Sequence, residues 1–203
     1  MYGTTETACC LNLINPSLTN PFNLVKVGTP TFNANGITTT GTQYFRTGVI
    51  PSTHTTLNNV AIGVYIYNYT GVGRCAIGCQ NTSTNVIAIY IRTTSACDAR
   101  IYSSSSLATA NIVNTSGLSI ANKPFNNLLQ YWNKGIKYGT NTAIQAQHPT
   151  REMYLGAIND GSANNYLNNN YSFAAVTLGK TDQQCIDITN AVNNLQTALG
   201  RAV

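Results

Sequence analysis

The sequence predicts an all-β fold, a sandwich of two packed antiparallel sheets with one amphipathic helix at its C-terminal end. About a dozen short runs of alternating apolar residues are separated by turns rich in Gly, Asn and Pro, which is typical of such sandwiches. Only 8% of the 203 residues are charged, and the abundant Thr and Asn favour strands and turns. One stretch stands apart from these runs because its apolar residues have helical periodicity.

The domain organisation predicted from the sequence is simple. Residues 1–21 are polar and rich in turns, so we expect an N-terminal tail or linker there, followed by one sandwich domain over 22–203. The eleven basic residues behind the net charge of +5 are scattered, which predicts no nucleic-acid binding. No apolar run approaches the roughly 18 residues of a membrane span, so we expect no membrane insertion.

The predicted strands follow the period-two alternation of apolar side chains. The clearest is the run VAIGVYIYNY over 60–69, whose alternation places three tyrosines on the face opposite its aliphatic residues. Gly135, in the run Asn-Lys-Gly, predicts a tight hairpin between two later strands. The other predicted strands cover 22–27, 31–38, 42–46, 74–80, 86–92, 99–102, 110–113, 117–121, 128–132, 136–138, 153–158 and 171–178.

The predicted helix occupies 181–201. Thr181 and Gln184 have the spacing of a capping box, and Asp182 suits the positive end of the helix dipole. Gly200 predicts a left-handed C-terminal cap, with the positive charge of Arg201 beyond it. The apolar stripe that should lie on a sheet consists of Ile188, Ala191, Val192, Leu195 and Leu199.

The C-terminal quarter of the chain also resembles a known family. The runs YLGAINDGSANNY, YSFAAVTLGKTDQQ and NNLQTALGR, with GITTTGTQYFRTGVIPS and LNNVAIGVYIY upstream, resemble the concanavalin A-like lectin/glucanase (laminin-G-like) domain of tailed-bacteriophage virion proteins. The resemblance covers the chain from about residue 20. It implies a jelly-roll sandwich and a non-enzymatic structural role on the virion surface, as a head-fibre, capsid decoration or tail-associated domain assembled in the host cytoplasm.

The partners implied by the same resemblance are other virion proteins and further copies of the chain, with a trimer favoured. A lectin-like adhesin that binds host-surface glycans is the alternative function. These two roles belong to different classes, and one virion domain can combine them.

A catalytic role is not expected. The glucanases of this fold class carry a Glu-x-Asp-x-x-Glu pattern on one strand, and glycoside hydrolysis requires two carboxylates on either side of one bond. No acidic residue of this chain repeats that spacing; the acids are Glu6, Asp98, Glu152, Asp160, Asp182 and Asp187. There is no Gly-x-Ser-x-Gly nucleophile motif either.

No cofactor or metal is expected. Asp160, in Asn-Asp-Gly, is explained by an ordinary turn, although a cation site is the alternative. His54 and His148 are distant from each other and complete no zinc set. The six cysteines are irregularly placed, so we predict buried or incidental thiols rather than a disulfide framework.

Binding to a sugar would need exposed aromatic rings beside amide and hydroxyl groups. The alternative is that such rings pack against the sheets or between subunits, because aromatic residues dominate cores and interfaces. The candidate carbohydrate-binding residues are Tyr65, Tyr67, Tyr69, Tyr131 and Trp132.

Overall fold

The structure, a computed structural model, describes residues 4–67, 69, 73–93, 96–102, 107–109, 112, 114–125, 127–142, 147–201 and 203. Within these residues the chain forms two β-sheets and three helices. The first sheet has nine strands. In spatial order seven of them are β1 (Val25–Val27), β4 (Tyr44–Arg46), β13 (Tyr154–Leu155), β6 (Arg74–Gln80), β7 (Val86–Thr93), β8 (Ala96–Ile101) and β9 (Leu107–Thr109). The other two are β14 (Ile158–Asn159), which pairs in parallel with β6, and β15 (Ala163–Asn164).

The second sheet has seven antiparallel strands in the described part of the chain. In spatial order they are β12 (Ile136–Thr142), β11 (Leu128–Asn133), β10 (Gly117–Lys123), β5 (Val60–Ile66), β16 (Asn170–Thr177), β3 (Gly36–Thr38) and β2 (Thr31–Asn33). The predicted all-β sandwich with one C-terminal helix is therefore confirmed.

The core between the sheets is built by the alternation of side chains along each strand. On β5, Val60, Ile62, Val64 and Ile66 point into this inter-sheet core, and all are fully buried. On β7, the odd-numbered isoleucines from Ile87 onward do the same from the first sheet. The even-numbered residues of β7 and the odd-numbered residues of β5 therefore lie on the outer faces of the sandwich.

The C-terminal helix α3 (Asp182–Ala198) packs on the outer face of the second sheet, as predicted. Its capping box forms between Thr181 and Gln184, and Gly200 has the left-handed φ of +70°. The buried row differs from the predicted stripe, because Ala191 is exposed and Leu195 is only half-buried. The fully buried residues of the helix are Cys185, Thr189, Val192 and Gln196.

The N-terminal segment, predicted as a tail or linker over 1–21, contains a short helix that the sequence did not indicate. Thr5 caps this helix, α1 (Glu6–Cys10), and Cys9 and Cys10 lie in the inter-sheet core. The backbone N–H of Leu24 donates to the carbonyl of Cys10 at 2.8 Å. Among residues 4–21 these two small thiols are the buried side chains, which a polar composition does not reveal.

One predicted strand is divided, one lies almost wholly outside the described residues, and one short helix was not predicted. The strand over 153–158 is two short strands, since Gly156 takes a left-handed φ of +88° between them. The strand over 110–113 lies outside the described residues except for Ile112, which is buried in the core. A one-turn helix, α2 (Pro51–His54), follows β4 and had no signal in the sequence beyond its N-terminal Pro.

The hairpin predicted around Gly135 is confirmed. Strands β11 and β12 pair with Asn133 opposite Ile136, and the two residues between them, Lys134 and Gly135, have φ values of +51° and +77°. Two successive positive φ values define the turn whose twist matches that of a hairpin.

Among the described helices, none has the length and apolar character to span a membrane.

Candidate functional site

The five aromatic residues predicted to bind sugar do not form one exposed platform. Tyr65 and Trp132 lie beneath α3 and are 0% and 3% exposed. Tyr69 and Tyr131 belong to the inter-sheet core, because the alternation of β5 ends at Ile66 and Tyr69 turns back inward. Four of the five are therefore packing residues, and Tyr67, which is half-buried, is the one for which sugar binding stays a prediction.

The hydroxyl groups of two of these buried rings, Tyr65 and Tyr131, have partners within the protein. The hydroxyl of Tyr65 accepts from the backbone N–H of Val203 at 3.2 Å. The hydroxyls of Tyr131 and Ser119 lie 2.8 Å apart, and burial raises the pKa of Tyr131 well above its usual value. Rings that are both buried and hydrogen-bonded stabilise the fold and are not available to a ligand.

A different set of tyrosines lies on the outer face of the first sheet. Phe45 and Leu155 point into the inter-sheet core, so their neighbours Tyr44 and Tyr154 face outward. The ring centroids of Tyr44 and Tyr154 are 4.6 Å apart, and Tyr166, which follows β15, lies 6.1 Å from Tyr44. We call these three half-buried residues the tyrosine cluster.

Next to the tyrosine cluster is a polar hollow of about 400 Å³. The loop that follows β15 forms one side of it, and the start of β6 forms another. The residues that line the hollow are Gly41, Arg74, Asn165, Tyr166 and Asn168. Asn165, Asn168 and Arg74 are exposed, so the hollow offers amide and guanidinium groups beside one aromatic ring.

Local hydrogen bonds fix the shape of the hollow. The hydroxyl of Tyr166 donates to the carbonyl of Ala163 at 2.6 Å, which holds the ring against its own loop. The backbone N–H of Cys75 donates to the carbonyl of Asn165 at 3.0 Å, which ties the loop to β6. Asn165 has a φ of +49°, a conformation that Asn tolerates better than most residues.

The hollow carries one positive charge, that of Arg74. Its guanidinium donates to the carbonyl of Gly73 at 3.2 Å, and none of the five ion pairs in the described part of the chain includes it. The hydrogen-bonding capacity of this guanidinium is thus largely directed to solvent, where a ligand can reach it.

The acidic residues are all engaged elsewhere. Four of them pair with basic side chains, and the remaining two, Asp160 and Asp187, accept hydrogen bonds from the amides of Asn164 and Gln183. The four paired acids are Glu6, Asp98, Glu152 and Asp182. No two carboxylates therefore stand free together in the way that glycoside hydrolysis requires.

The interpretation of Asn-Asp-Gly as a turn is confirmed. Asn159 accepts from the backbone N–H of Gly161 at 3.1 Å, and the turn joins β14 to β15.

Within the described residues there is no group of three or more His, Cys, Asp or Glu side chains that could hold a metal ion. His54 accepts from the backbone N–H of Ile50, and His148 packs edge-on against Tyr102 with ring centroids 4.6 Å apart.

The cysteines are buried thiols, as predicted. All six are buried and none forms a disulfide, and desolvation raises the pKa of each thiol. A raised pKa keeps a thiol protonated at neutral pH, so none of them is an activated nucleophile or a ready metal ligand.

Sequence reasoning missed the tyrosine cluster and the hollow. The signal for Tyr166 was its place as a lone aromatic residue in the Asn-rich loop NNYLNNN. The signal for Tyr44 and Tyr154 was their alternation with the core residues Phe45 and Leu155. Their convergence depends on the order of the strands in the sheet, which the sequence alone does not specify.

Comparisons with known proteins give the fold but no family. Neither a protein-family model nor a curated protein matches the sequence. Among solved structures, domain 4 of the extracellular arabinanase AbnA from Geobacillus stearothermophilus, in complex with arabinotriose, has a TM-score of 0.56 at 13% identity over 82% of this chain and 88% of that one. A heptameric SAP-like pentraxin from Limulus polyphemus has a TM-score of 0.50 at 11% identity, over 66% and 70% of the two chains.

The NanB sialidase of Streptococcus pneumoniae is a third similar structure, with a TM-score of 0.54 at 9% identity over 80% of this chain. The match spans only 27% of the sialidase chain. At such identities the similarity concerns the fold alone. The chain therefore shares a β-sandwich fold with these three structures.

Proposed function

We propose that this chain binds a glycan, without cleaving it, in the hollow beside the tyrosine cluster. The observation that carries the proposal is the half-exposed ring of Tyr166 next to the exposed polar groups of Arg74, Asn165 and Asn168. An aromatic face packs on the apolar face of a sugar ring, while amide and guanidinium groups bond to its hydroxyls. The volume of about 400 Å³ lies within the range of small-molecule sites.

The fold supports the same proposal. Domain 4 of the arabinanase, which this chain matches over most of both lengths, was crystallised with arabinotriose. A sandwich of this shape therefore accommodates an oligosaccharide in at least one similar protein. At 13% identity the position of that ligand does not transfer to this chain, so the hollow is assigned from its own residues.

The non-catalytic part of the proposal is supported by the engagement of every carboxylate. The two acids nearest the tyrosine cluster in sequence, Glu152 and Asp160, are bound by Arg46 and by Asn164. Glu152 also accepts from the backbone N–H of Gly48 at 2.7 Å, so both of its carboxylate oxygens have partners within the protein. Release of reducing ends from a bound oligosaccharide by the pure chain would contradict this part.

The second candidate function is a structural one. Its assignment to a phage particle rests on the sequence resemblance to phage virion domains. We propose that the chain is exposed on a tailed-phage particle as a homo-oligomer, with a trimer favoured. The N-terminal segment supports assembly, because Leu13, Ile14 and Leu18 are 51%, 91% and 76% exposed. Contiguous exposed apolar residues are typical of an interaction surface. A monomeric mass by light scattering would contradict the assembly.

The binding proposal is tested by isothermal titration of a panel of oligosaccharides into the purified chain. Replacing Tyr166 with Ala should weaken the affinity about tenfold, because an aromatic contact contributes on the order of 1 kcal/mol or more. The matched control is Phe125→Ala, which removes another ring that is 60% exposed and is not part of the hollow.

A second variant separates binding from folding. Asn168 is exposed, so Asn168→Ala should weaken binding while the melting temperature stays unchanged. Equal affinity in the native chain, Tyr166→Ala and Asn168→Ala would show that the glycan binds elsewhere. Tyr67→Ala serves as the test of the remaining residue predicted from the sequence.

A further inference from the structure

A row of side chains crosses the outer face of the first sheet from the hollow. The pairing register joins Tyr166 to Cys75, Cys75 to Tyr90, and Tyr90 to Asp98. Because neighbouring strands lie about 4.8 Å apart, Tyr166 and Tyr90 are separated by roughly 10 Å across the sheet. Cys75 and Tyr90 are 0% and 7% exposed, so the surface around Tyr90 lies on the same face as Tyr166 but beyond a buried apolar cluster.

Two arginines are held in a fixed arrangement around Tyr90. Arg92 and Arg100 both donate to Oδ2 of Asp98, at 2.7 and 3.2 Å. Their guanidinium carbons lie 4.8 and 5.7 Å from the centre of the Tyr90 ring. We call these two residues the arginine pair; Asp98 and Tyr90 are positioning residues that restrict its rotamers.

The arginine pair directs excess positive charge outward. The side chain of Asp98 is 5% exposed, whereas those of Arg92 and Arg100 are 46% and 24% exposed. One buried carboxylate thus neutralises one of two partly exposed guanidinium groups. Arg74, which lines the hollow, lies opposite the core residue Ile91 at the start of the adjacent strand, so the register does not place it on the face of Arg92, but its exposed guanidinium adds a third positive charge to this end of the sheet.

Charge of this kind selects among glycans. A guanidinium group binds carboxylate or sulfate through two parallel hydrogen bonds, and one whose geometry is already restricted loses less entropy on binding. A neutral sugar gains little from three such groups.

From this arrangement we propose that the hollow and the arginine pair form one extended site for an acidic oligosaccharide. This inference rests on the glycan binding proposed above and adds the class of ligand. Tyr166 packs on one sugar residue, Arg74 binds its polar groups, and the arginine pair binds an acidic group about two strand spacings away. A single acidic sugar is too short to reach both ends.

The test compares an acidic ligand with its neutral counterpart in isothermal titration. The probes are a hexamer of galacturonic acid, the same hexamer as its methyl ester, and dextran sulfate beside neutral dextran. We expect the acid to bind at least about tenfold more tightly than the ester, with an affinity that falls as salt is added. Dextran sulfate separates recognition of sulfate from recognition of carboxylate.

Substitutions of single basic residues test whether the arginine pair binds the acidic group of the ligand. Arg92→Gln should weaken binding of the acidic hexamer about tenfold, because a charge-assisted hydrogen-bonding group is lost, and should leave binding of the ester unchanged. Lys180→Gln makes the same charge change beside the helix α3, away from the proposed site, and should have no effect. Arg92→Lys keeps the charge without the planar fork and should give an intermediate affinity with the same salt dependence.

The outcomes distinguish the two proposals. Equal affinity for acid and ester, both lost in Tyr166→Ala, would overturn the acidic-ligand inference and leave glycan binding intact. Equal weakening by Arg92→Gln and Lys180→Gln would also overturn it, since the attraction would then be non-specific. Binding of no saccharide in the panel would overturn both.

Discussion

The burial of Val192 gives the sharpest prediction about what holds the helix on the sheet. Val192 is 6% exposed and packs with Tyr65 and Trp132 on the outer face of the second sheet. On the same helix, Leu195 is half-buried and Ala191 is exposed. Substituting each of the three with Asp introduces the same charge in one helix at three depths.

The expected magnitudes follow from burial. Val192→Asp removes about 1.5 to 3 kcal/mol of apolar burial and adds several kcal/mol for an unpaired buried carboxylate, at least about 4 kcal/mol in total. For a chain of this length that is a fall of roughly 8 to 16 °C in melting temperature. Leu195→Asp should cost about 1 to 2 kcal/mol because its side chain is only partly buried, and Ala191→Asp no more than about 0.7 kcal/mol of helix propensity.

The assay is urea unfolding of the three variants at neutral pH and again at low pH. A buried carboxyl has a raised pKa in the folded state, so the unfolded state ionises first and the destabilisation grows as the pH rises above about 3.9. The loss of unfolding free energy caused by Val192→Asp should therefore be smaller at low pH, whereas the loss caused by Ala191→Asp should be the same at both pH values. Equal costs for all three variants would show that α3 does not dock through the Val192 row.

Two further predictions concern buried ionisable groups. Lys123 is 1% exposed, and its ammonium group has no hydrogen-bond partner in the described structure. Desolvation lowers its pKa, so Lys123→Met should raise the free energy of unfolding by about 1 kcal/mol or more. The unfolded state binds the Lys123 proton more tightly than the folded state, so the stability gained by Lys123→Met should shrink as the pH approaches about 10.4. A variant less stable than the native chain would show that the contact between Lys123 and Tyr102 contributes more than the desolvation of the ammonium group costs. Burial raises the pKa of Cys185 to about 11 and that of Cys97 to about 12. Unfolded thiols ionise from about pH 8.5, so each buried thiol should lower the free energy of unfolding by about 1.4 kcal/mol per pH unit above that value. Cys97→Ala should flatten this alkaline decline, and a stability that does not change up to about pH 10 would contradict the reasoning.

The fold was predictable wherever the local pattern alone determines the structure. The alternation over Val60–Ile66, the positive-φ turn at Gly135 and the capping box of Thr181 each act within a few residues, and each was confirmed. The buried row of α3 was less predictable, since Gln196 is fully buried and apolar periodicity does not single out a polar side chain. The helix α1 had no signal in the sequence for a related reason, because the buried side chains among residues 4–21 are only its two thiols.

The candidate site was not predictable, because it is assembled from distant parts of the chain. Tyr44 and Tyr154 meet only because β4 and β13 pair, with Tyr154 opposite Arg46. The register that places Tyr166, Cys75 and Tyr90 in one row is a property of the sheet. Four of the five aromatic residues chosen from the sequence are buried, because a dense local cluster of aromatic residues is equally a property of a core.

The helix explains which face of the sandwich is left for a ligand. Each sheet has one face in the inter-sheet core, so binding by a rigid face is confined to the two outer faces. α3 covers the outer face of the second sheet, where Tyr65 and Trp132 complete its packing. The outer face of the first sheet has no such helix among the described residues, and beside a buried cluster around Tyr90 it carries the half-buried tyrosine cluster and the partly exposed arginine pair. Under the proposal made above, aromatic residues on the two outer faces have opposite roles, stability under the helix and recognition on the other sheet.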